Sequence, residues 1–221
     1  MTRKAAMTAA LMAAAGSLAW AQEKQVEISG TTGWTFSDGV SGDAVTVPGV
    51  GSFNRIDPKD ASSWGLRLGF LVGDGAEVGF LYDQQATTLE VGGTSTFDLG
   101  DLTIRNYHGY FAYNFGDAGA AARPYVLIGL GATQYGTLSV SVGDVHHDIS
   151  GGSRFSGTGA VGVKLFPSPG FGIRLEARWT PTYVKSDAAG WWCDPFWGCY
   201  VVGSAQYANQ FQLGGGITLR F

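Results

Sequence analysis

The side-chain types that perform chemistry are sparse in this chain and fall in three places. Cys193 and Cys199 enclose five residues in the run WWCDPFWGCY, His146-His147-Asp148 stands on an earlier polar stretch, and His108 lies among alternating residues beside Asn106 and Tyr110. Two thiolates and two imidazoles make a zinc donor set, but these pairs lack the fixed spacing that zinc motifs show. A hydrolytic serine needs a histidine within hydrogen-bond reach and a carboxylate to orient it. No serine lies within two residues of His108, and Ser139, Ser141 and Ser150, near His146 and Asp148, have no spacing that would impose such geometry. The glycine clusters at 92–93, 151–152 and 214–216 do not open a helix after a strand, so they read as turns or bends rather than phosphate cradles. The expectation is no catalytic residue, no cofactor and no metal ligand.

Charged residues form a fourth group. They make up only 14% of the chain, against a usual share of about 25%, and many sit inside alternating segments. Arg67, Glu77, Arg105, Lys164, Arg174, Glu176, Arg178 and Arg220 read as one mixed-sign set on the polar sides of several strands. Two roles are open to such a set. Glu77 and Glu176 can pair with the basic residues as a structural plug, or the arginine surplus can line a pore that favours anions. Left unpaired in an interior, these charges would be costly.

Positioning these residues requires elements, and the dominant signal for elements is period two. Val26, Ile28, Trp34 and Phe36 alternate with Glu27, Ser29, Thr31 and Thr35. Trp64 to Val72 and Ala76 to Tyr82 repeat the pattern around the turn Gly73-Asp74-Gly75, which makes a hairpin. Further alternating runs cover about 101–115, 123–135, 154–165, 173–180 and 211–221. Eight strands of about ten residues predict an all-β fold, an eight-stranded antiparallel up-and-down barrel whose closure removes open edges. An interior of that size is just filled by side chains, which favours the plug over the pore. Connections at about 73–75, 116–122 and 166–171 are short, while those at about 37–63, 84–100, 136–153 and 185–206 read as long loops. One rim is therefore tight and the other elaborate.

Composition bounds the rest. With 45% hydrophobic and 13% aromatic residues the 221-residue chain must fold, and a net charge of −4 offers no footprint for nucleic acid. Residues 1–21 carry Arg3 and Lys4, an apolar run from Ala5 to about Ala15 and the small-residue site Ala19-Trp20-Ala21. That order is a signal peptide, leaving 22–221 as the barrel.

Period two does not say which face is inside. A soluble periplasmic barrel holding an apolar ligand would turn its apolar residues inward, and a transmembrane barrel turns them outward. Five lysines in the whole chain are few for a wet exterior. Trp34, Trp64, Tyr82, Phe115, Trp179, Tyr183 and Phe211 lie near strand ends on the apolar side, where rings suit a membrane–water interface. Both observations favour a transmembrane β-barrel. The last strand, FQLGGGITLRF, also closes on an aromatic residue.

With its signal peptide, its eight amphipathic strands and this last strand, the chain resembles the small outer-membrane β-barrel family of OmpA-like and opacity-type surface proteins over essentially all of 22–221. The resemblance implies the outer membrane of a Gram-negative bacterium, contact with outer-membrane lipid and lipopolysaccharide, and reading of the Phe221 strand by the outer-membrane insertion machinery. The chain departs from full-length OmpA-like proteins in lacking a peptidoglycan-binding domain, so no direct cell-wall tether is implied. Some barrels of this size are lipid A deacylases or acyltransferases, which keeps a lipid-modifying enzyme as an alternative.

Export also permits a disulfide, and Cys193 with Cys199 is the leading candidate. So short a ring is worth about 2 kcal/mol. Trp191, Trp192, Phe196, Trp197 and Tyr200 crowd the same loop. They read either as a grip on lipopolysaccharide, a host surface or a neighbouring barrel, or as packing for the loop itself. The expected function is non-enzymatic: a structural and surface-interaction role through four long external loops, with a narrow porin-like channel as the alternative.

Overall fold

The structure, a computed structural model, describes residues 26–47, 51–93, 96–142, 145–149, 151–183, 193–194, 198–199 and 207–221. The 1–21 segment and the side chains of the 191–200 loop lie outside these. The strands are β1 (Val26–Ser37), β2 (Val40–Val47), β3 (Gly51–Pro58), β4 (Ala61–Val72), β5 (Ala76–Gly93), β6 (Phe97–Asn114) and β7 (Ala122–Tyr135) in the first part of the chain. They continue with β8 (Leu138–Val142), β9 (Val145–Ile149), β10 (Ser153–Ser168), β11 (Phe171–Tyr183), β12 (Cys193–Asp194), β13 (Gly198–Cys199) and β14 (Tyr207–Arg220). Among the described residues no helix is long and apolar enough to cross a membrane.

Eight of these strands close a ring in the order β1, β4, β5, β6, β7, β10, β11, β14 and back to β1, every pair antiparallel. The seam joins first strand to last from Glu27↔Arg220 to Ser37↔Gln210. Val26 and Phe221 add two backbone hydrogen bonds of 3.3 and 2.9 Å at its lower end. Closure satisfies every stave on both sides, as the even count of alternating segments requires.

Alternation decides the two faces. Leu66, Leu68, Phe80, Phe111, Ile128, Leu130, Val161, Leu175, Leu213 and Ile217 point outward and are exposed, whereas Glu27, Arg67, Glu77, His108, Lys164, Arg174 and Thr218 point inward and are buried. The interior leaves little room. A Cβ on the inward glycines Gly79, Gly131 or Gly216 would collide with the backbone of the adjacent strand, so these positions let the small, curved wall close.

The elaborate rim differs from the expected loops. Residues 84–100 are mostly strand: β5 and β6 pair as far as Val91↔Phe97. β2 and β3 pair with each other, and β3 pairs with the upper end of β5, so the hairpin prolongs the wall above β1 and β4. Between 136 and 153, β8 and β9 form a further hairpin. The alternation continues through this extension past the buried polar Gln85 and Thr87, and its sense then reverses. Leu89, Leu102, Ile104 and Tyr135 point inward and are buried, while Ala86, Thr88, Thr103 and Asp101 take the outward positions between them. The reversal breaks the lower barrel's pattern, and a sequence reading keyed to that pattern takes it for loop.

Candidate functional site: a lumen filled by paired charges

The inward residues of the lower barrel form layers of ion pairs. At the tight rim, Glu27 accepts hydrogen bonds from Arg220 Nε at 3.0 Å and Nη2 at 2.7 Å, and from Lys164 Nζ at 2.6 Å. Lys164 also reaches Glu77, so one ammonium sits between two carboxylates. Arg174 Nη2 lies 3.5 Å from Glu27 and 3.9 Å from Glu77. Tyr110 donates its hydroxyl to Glu77 at 2.7 Å, and Asn114 adds an amide donor at 3.1 Å. One layer up, Arg67 pairs with Glu176, which also accepts the Tyr125 hydroxyl. Next, Arg178 donates to Asp83 at 2.7 Å and to Gln212, and Gln212 reaches Ser63.

Two tyrosines span these layers. The Tyr125 ring lies 5.5 Å from Lys164 Nζ and 5.1 Å from the Arg174 guanidinium, and Arg67 stands 5.8 Å from the Tyr110 ring. Each ring offers a π face to the cations while its hydroxyl serves a carboxylate. Leu81, Ala112, Leu127 and Ala160 pack with them as the apolar part of the core. A buried ion pair holds where further hydrogen bonds satisfy the groups; these carboxylates have them, whereas Arg67 Nη1 and Arg174 Nε meet no hydrogen-bond acceptor among the described residues.

Above Arg178 the filling is mostly neutral, with Arg154 on the inward face of β10 opposite Thr133. Gln210 donates to Gln85 at 2.9 Å, Asn106 to Gln210 at 3.1 Å, Thr133 to Asn106 at 2.7 Å and Thr182 to Thr133 at 3.0 Å. His108 Nε2 shares a hydrogen bond of 2.9 Å with Ser156 Oγ, joining β6 to β10 across the glycine gap on β7 at Gly131. A small hollow remains beside Arg174 and Glu176, lined also by Thr31, Gln212 and Gly214.

Of the eight charges expected in the lumen, seven are there. Arg105 is not: it shares the parity of Tyr107, faces outward, and bonds Gln84 Oε1 at 3.3 Å. It stands where the outer wall turns from apolar to polar, so polarity there no longer marks the inside. Glu27, Asp83, Arg123 and Arg154 are inward charges absent from the expected set. The sequence held a signal for the first two. Six bases against two acids is an imbalance that a sealed interior cannot hold, and both acids lie on inward parities.

The remaining expected residues are placed as follows. Trp34, Trp64, Phe115, Trp179, Tyr183 and Phe211 face outward, 36 to 52% exposed. Tyr82 joins them through ring contacts with Trp64 at 5.5 Å and Tyr107 at 5.2 Å. Phe221 lies exposed at the tight rim. Cys193 and Cys199 are directly opposite in the register of β12 and β13, while Trp191, Trp192, Phe196, Trp197 and Tyr200 fall outside the described residues. Among the described residues no cluster of histidine, cysteine and carboxylate groups has metal-site form.

Comparison with known proteins agrees with this geometry. The sequence profile of the family described as outer membrane protein beta-barrel domain matches residues 6–216. The outer membrane protein OprG from Pseudomonas aeruginosa is similar in structure, with a TM-score of 0.60 at 12% identity, covering 90% of this chain and 97% of that one. Neisserial surface protein A is similar with a TM-score of 0.52 at 13% identity, covering 89% and 97%. At such identities the likeness establishes the fold alone. No curated protein matches the chain.

Proposed function

The chain belongs to the outer membrane protein beta-barrel domain family, and from that premise we propose that it is a non-enzymatic barrel of a Gram-negative outer membrane, with a closed lumen and a surface-interaction role at its elaborate rim. One observation carries the reading: the reversal of amphipathicity along β5 and β6. Below Gln84 and Arg105 the wall is apolar outside and mostly polar inside; above them it is polar outside, and inside, beside Gln85 and Thr87, the apolar side chains of Leu89, Leu102 and Ile104 take over much of the filling. Only a change of solvent along the barrel axis rewards such a reversal. Tyr107 to Phe115 spans about 27 Å of strand, or about 20 Å along the axis at a tilt near 40°, approaching the apolar height of such barrels. A soluble ligand-binding barrel would leave Ile128 and Leu130, about two-thirds exposed, in water.

In this reading residues 1–21 direct export, Phe221 presents the last strand to the insertion machinery, and the Cys193–Cys199 loop is oxidised and carries its aromatic residues towards a partner. The lumen acts as a plug. His108 and Ser156 supply a base beside a hydroxyl, but both are sealed in the barrel, out of reach of a lipid substrate, which supports a role without catalysis. The hollow at Arg174 and Glu176 favours a narrow anion path as the second reading.

Cell fractionation with gel mobility before and after boiling tests the proposal. Partition with outer membranes and a heat-dependent shift are expected, and recovery in the soluble periplasm would sink it. Planar-bilayer recording separates plug from path: silence is expected, while steady anion-selective steps abolished in Arg174→Gln would establish the path.

A further inference from the structure

Arg105 has no partner of opposite charge among the described residues, and it is the one basic side chain that their outward positions hold along the eight staves. Its neighbours in register continue a polar row: Gln84 on β5 lies opposite it, Gln134 on β7 lies opposite on the other side, and Ser153 on β10 follows Gln134. Directly beneath runs a second row, Tyr82, Tyr107, Ala132 and Phe155, in the same registers. Beneath that, Gly109 and Gly157 flank Leu130. Unlike the lumenal glycines, they have open space where a side chain would stand, with nothing nearer than 3.7 Å. Gly159 repeats this beside Ile128. The wall thus presents a cation with amide and hydroxyl groups at the apolar boundary and, below the rings, shallow troughs on either side of an aliphatic ridge, the longer running past Gly157 and Gly159 and the shorter, at Gly109, closed below by Phe111 opposite Ile128.

We propose that this face of β5, β6, β7 and β10 seats an anionic lipid of the outer leaflet, a phosphorylated glycolipid whose phosphate meets Arg105 and whose acyl chains lie in the troughs beside Leu130 and Ile128. Charge complementarity chooses the headgroup. A guanidinium whose Nε alone is engaged, by a neutral amide, keeps donors for a phosphate, which it binds with charge-assisted hydrogen bonds. The troughs distinguish the lipid from a free anion, because inorganic phosphate gains nothing from them. The site also gives the outward glycines a role that wall closure does not.

The inference rests on the bilayer reading above, and the experiment separates the two. The folded chain in detergent micelles is offered bisphosphorylated lipid A, the same lipid without its phosphates, and inorganic phosphate, with retained lipid counted by native mass spectrometry. Retention of the phosphorylated lipid about tenfold above the dephosphorylated form is expected, unchanged by inorganic phosphate. Arg105→Gln should remove the preference and Arg105→Lys keep part of it. Arg55→Gln, in the external hairpin, should leave it intact. Heat-dependent gel mobility verifies that each variant is folded. Equal retention of both lipids, or an unchanged Arg105→Gln, overturns the lipid seat, and full displacement by inorganic phosphate reduces it to a small-anion site. Failure of the wild-type chain to enter bilayers overturns the earlier reading instead.

Discussion

Lys164 holds two carboxylates apart at the bottom of the lumen, so its worth is set by what its removal leaves behind. In Lys164→Met, Glu27 keeps Arg220, but Glu77 keeps only Arg174, at 3.9 Å, and two neutral donors. Breaking one side of a buried pair costs about 3–5 kcal/mol. Urea unfolding in lipid vesicles, followed by tryptophan fluorescence, should show a loss of that size, and adding Glu77→Gln should recover most of it. A neutral single variant would mean that the pair is hydrated in solution. Gly131 makes a second test, since a Cβ there would run into the Tyr107 carbonyl whereas one on Gly30 meets nothing. Gly131→Val should prevent folding or cost several kcal/mol, on the order of the largest effects of overpacking, and Gly30→Val should be tolerated. Single residues were legible in the sequence where face and polarity agree, as for Lys164 and Arg174. They were not where the two part company. Tyr125 and Leu127 are apolar but lumenal, because a core of charges needs rings and methyl groups to fill the space between them. Arg105 is polar but outward, because the wall there has left the apolar zone.

The staves followed from period two, since each crosses a zone with one fixed contrast between its faces. The external hairpins did not, because the contrast reverses within a single strand and pairing between β3 and β5 depends on an interruption of strand at Lys59 and Asp60, between β3 and β4. That interruption is stitched by local bonds. Asp60 accepts the Ser37 amide at 3.0 Å, and Lys59 donates its amide to the Thr88 carbonyl at 2.9 Å. The Lys59 ammonium lies 2.8 Å from both Glu90 and Asp98, which face each other across β5 and β6. Hydrogen bonding to Lys59 holds the Asp98 carboxyl below its ordinary value of 3.8, and the bonds to Asp98 and then Glu90 raise Lys59 above 10.5. With Asp98 depressed, its share of the clip is complete above about pH 4 and is lost as the pH falls through the lower folded value. With Lys59 raised, its share is complete below about 10.5 and is lost as the pH rises through the higher folded value. Hydrogen exchange should therefore show residues 51–58, 88–93 and 96–100 opening on acidification while the staves below stay protected. Lys59→Met should open the same segments at neutral pH. Equal protection in wild type and variant would assign the docking of the hairpin to backbone pairing alone.

At the scale of the molecule the barrel is two solvents' worth of structure on one set of strands. Its lower part hides charges from an apolar exterior, and its upper part hides Leu89, Leu102 and Ile104 from a wet one. The same substitution must then differ in cost with height. Leu130 and Gln134 lie on the same outward face of β7, four residues apart, with Leu130 among the most exposed residues of the apolar band and Gln134 level with Arg105. If the band faces hydrocarbon, Leu130→Arg costs about 2–4 kcal/mol and Gln134→Arg between about 0 and 1. In water, either arginine would be nearly neutral at an exposed position. Denaturant unfolding of both variants in vesicles measures the difference directly. A deficit confined to Leu130→Arg places the boundary between these residues, along the row where Arg105 stands. Equal stability of the two variants would mean that the exposed aliphatic ridge is not covered by lipid, and the reversal along β5 and β6 would then need a protein partner wrapped around the lower barrel.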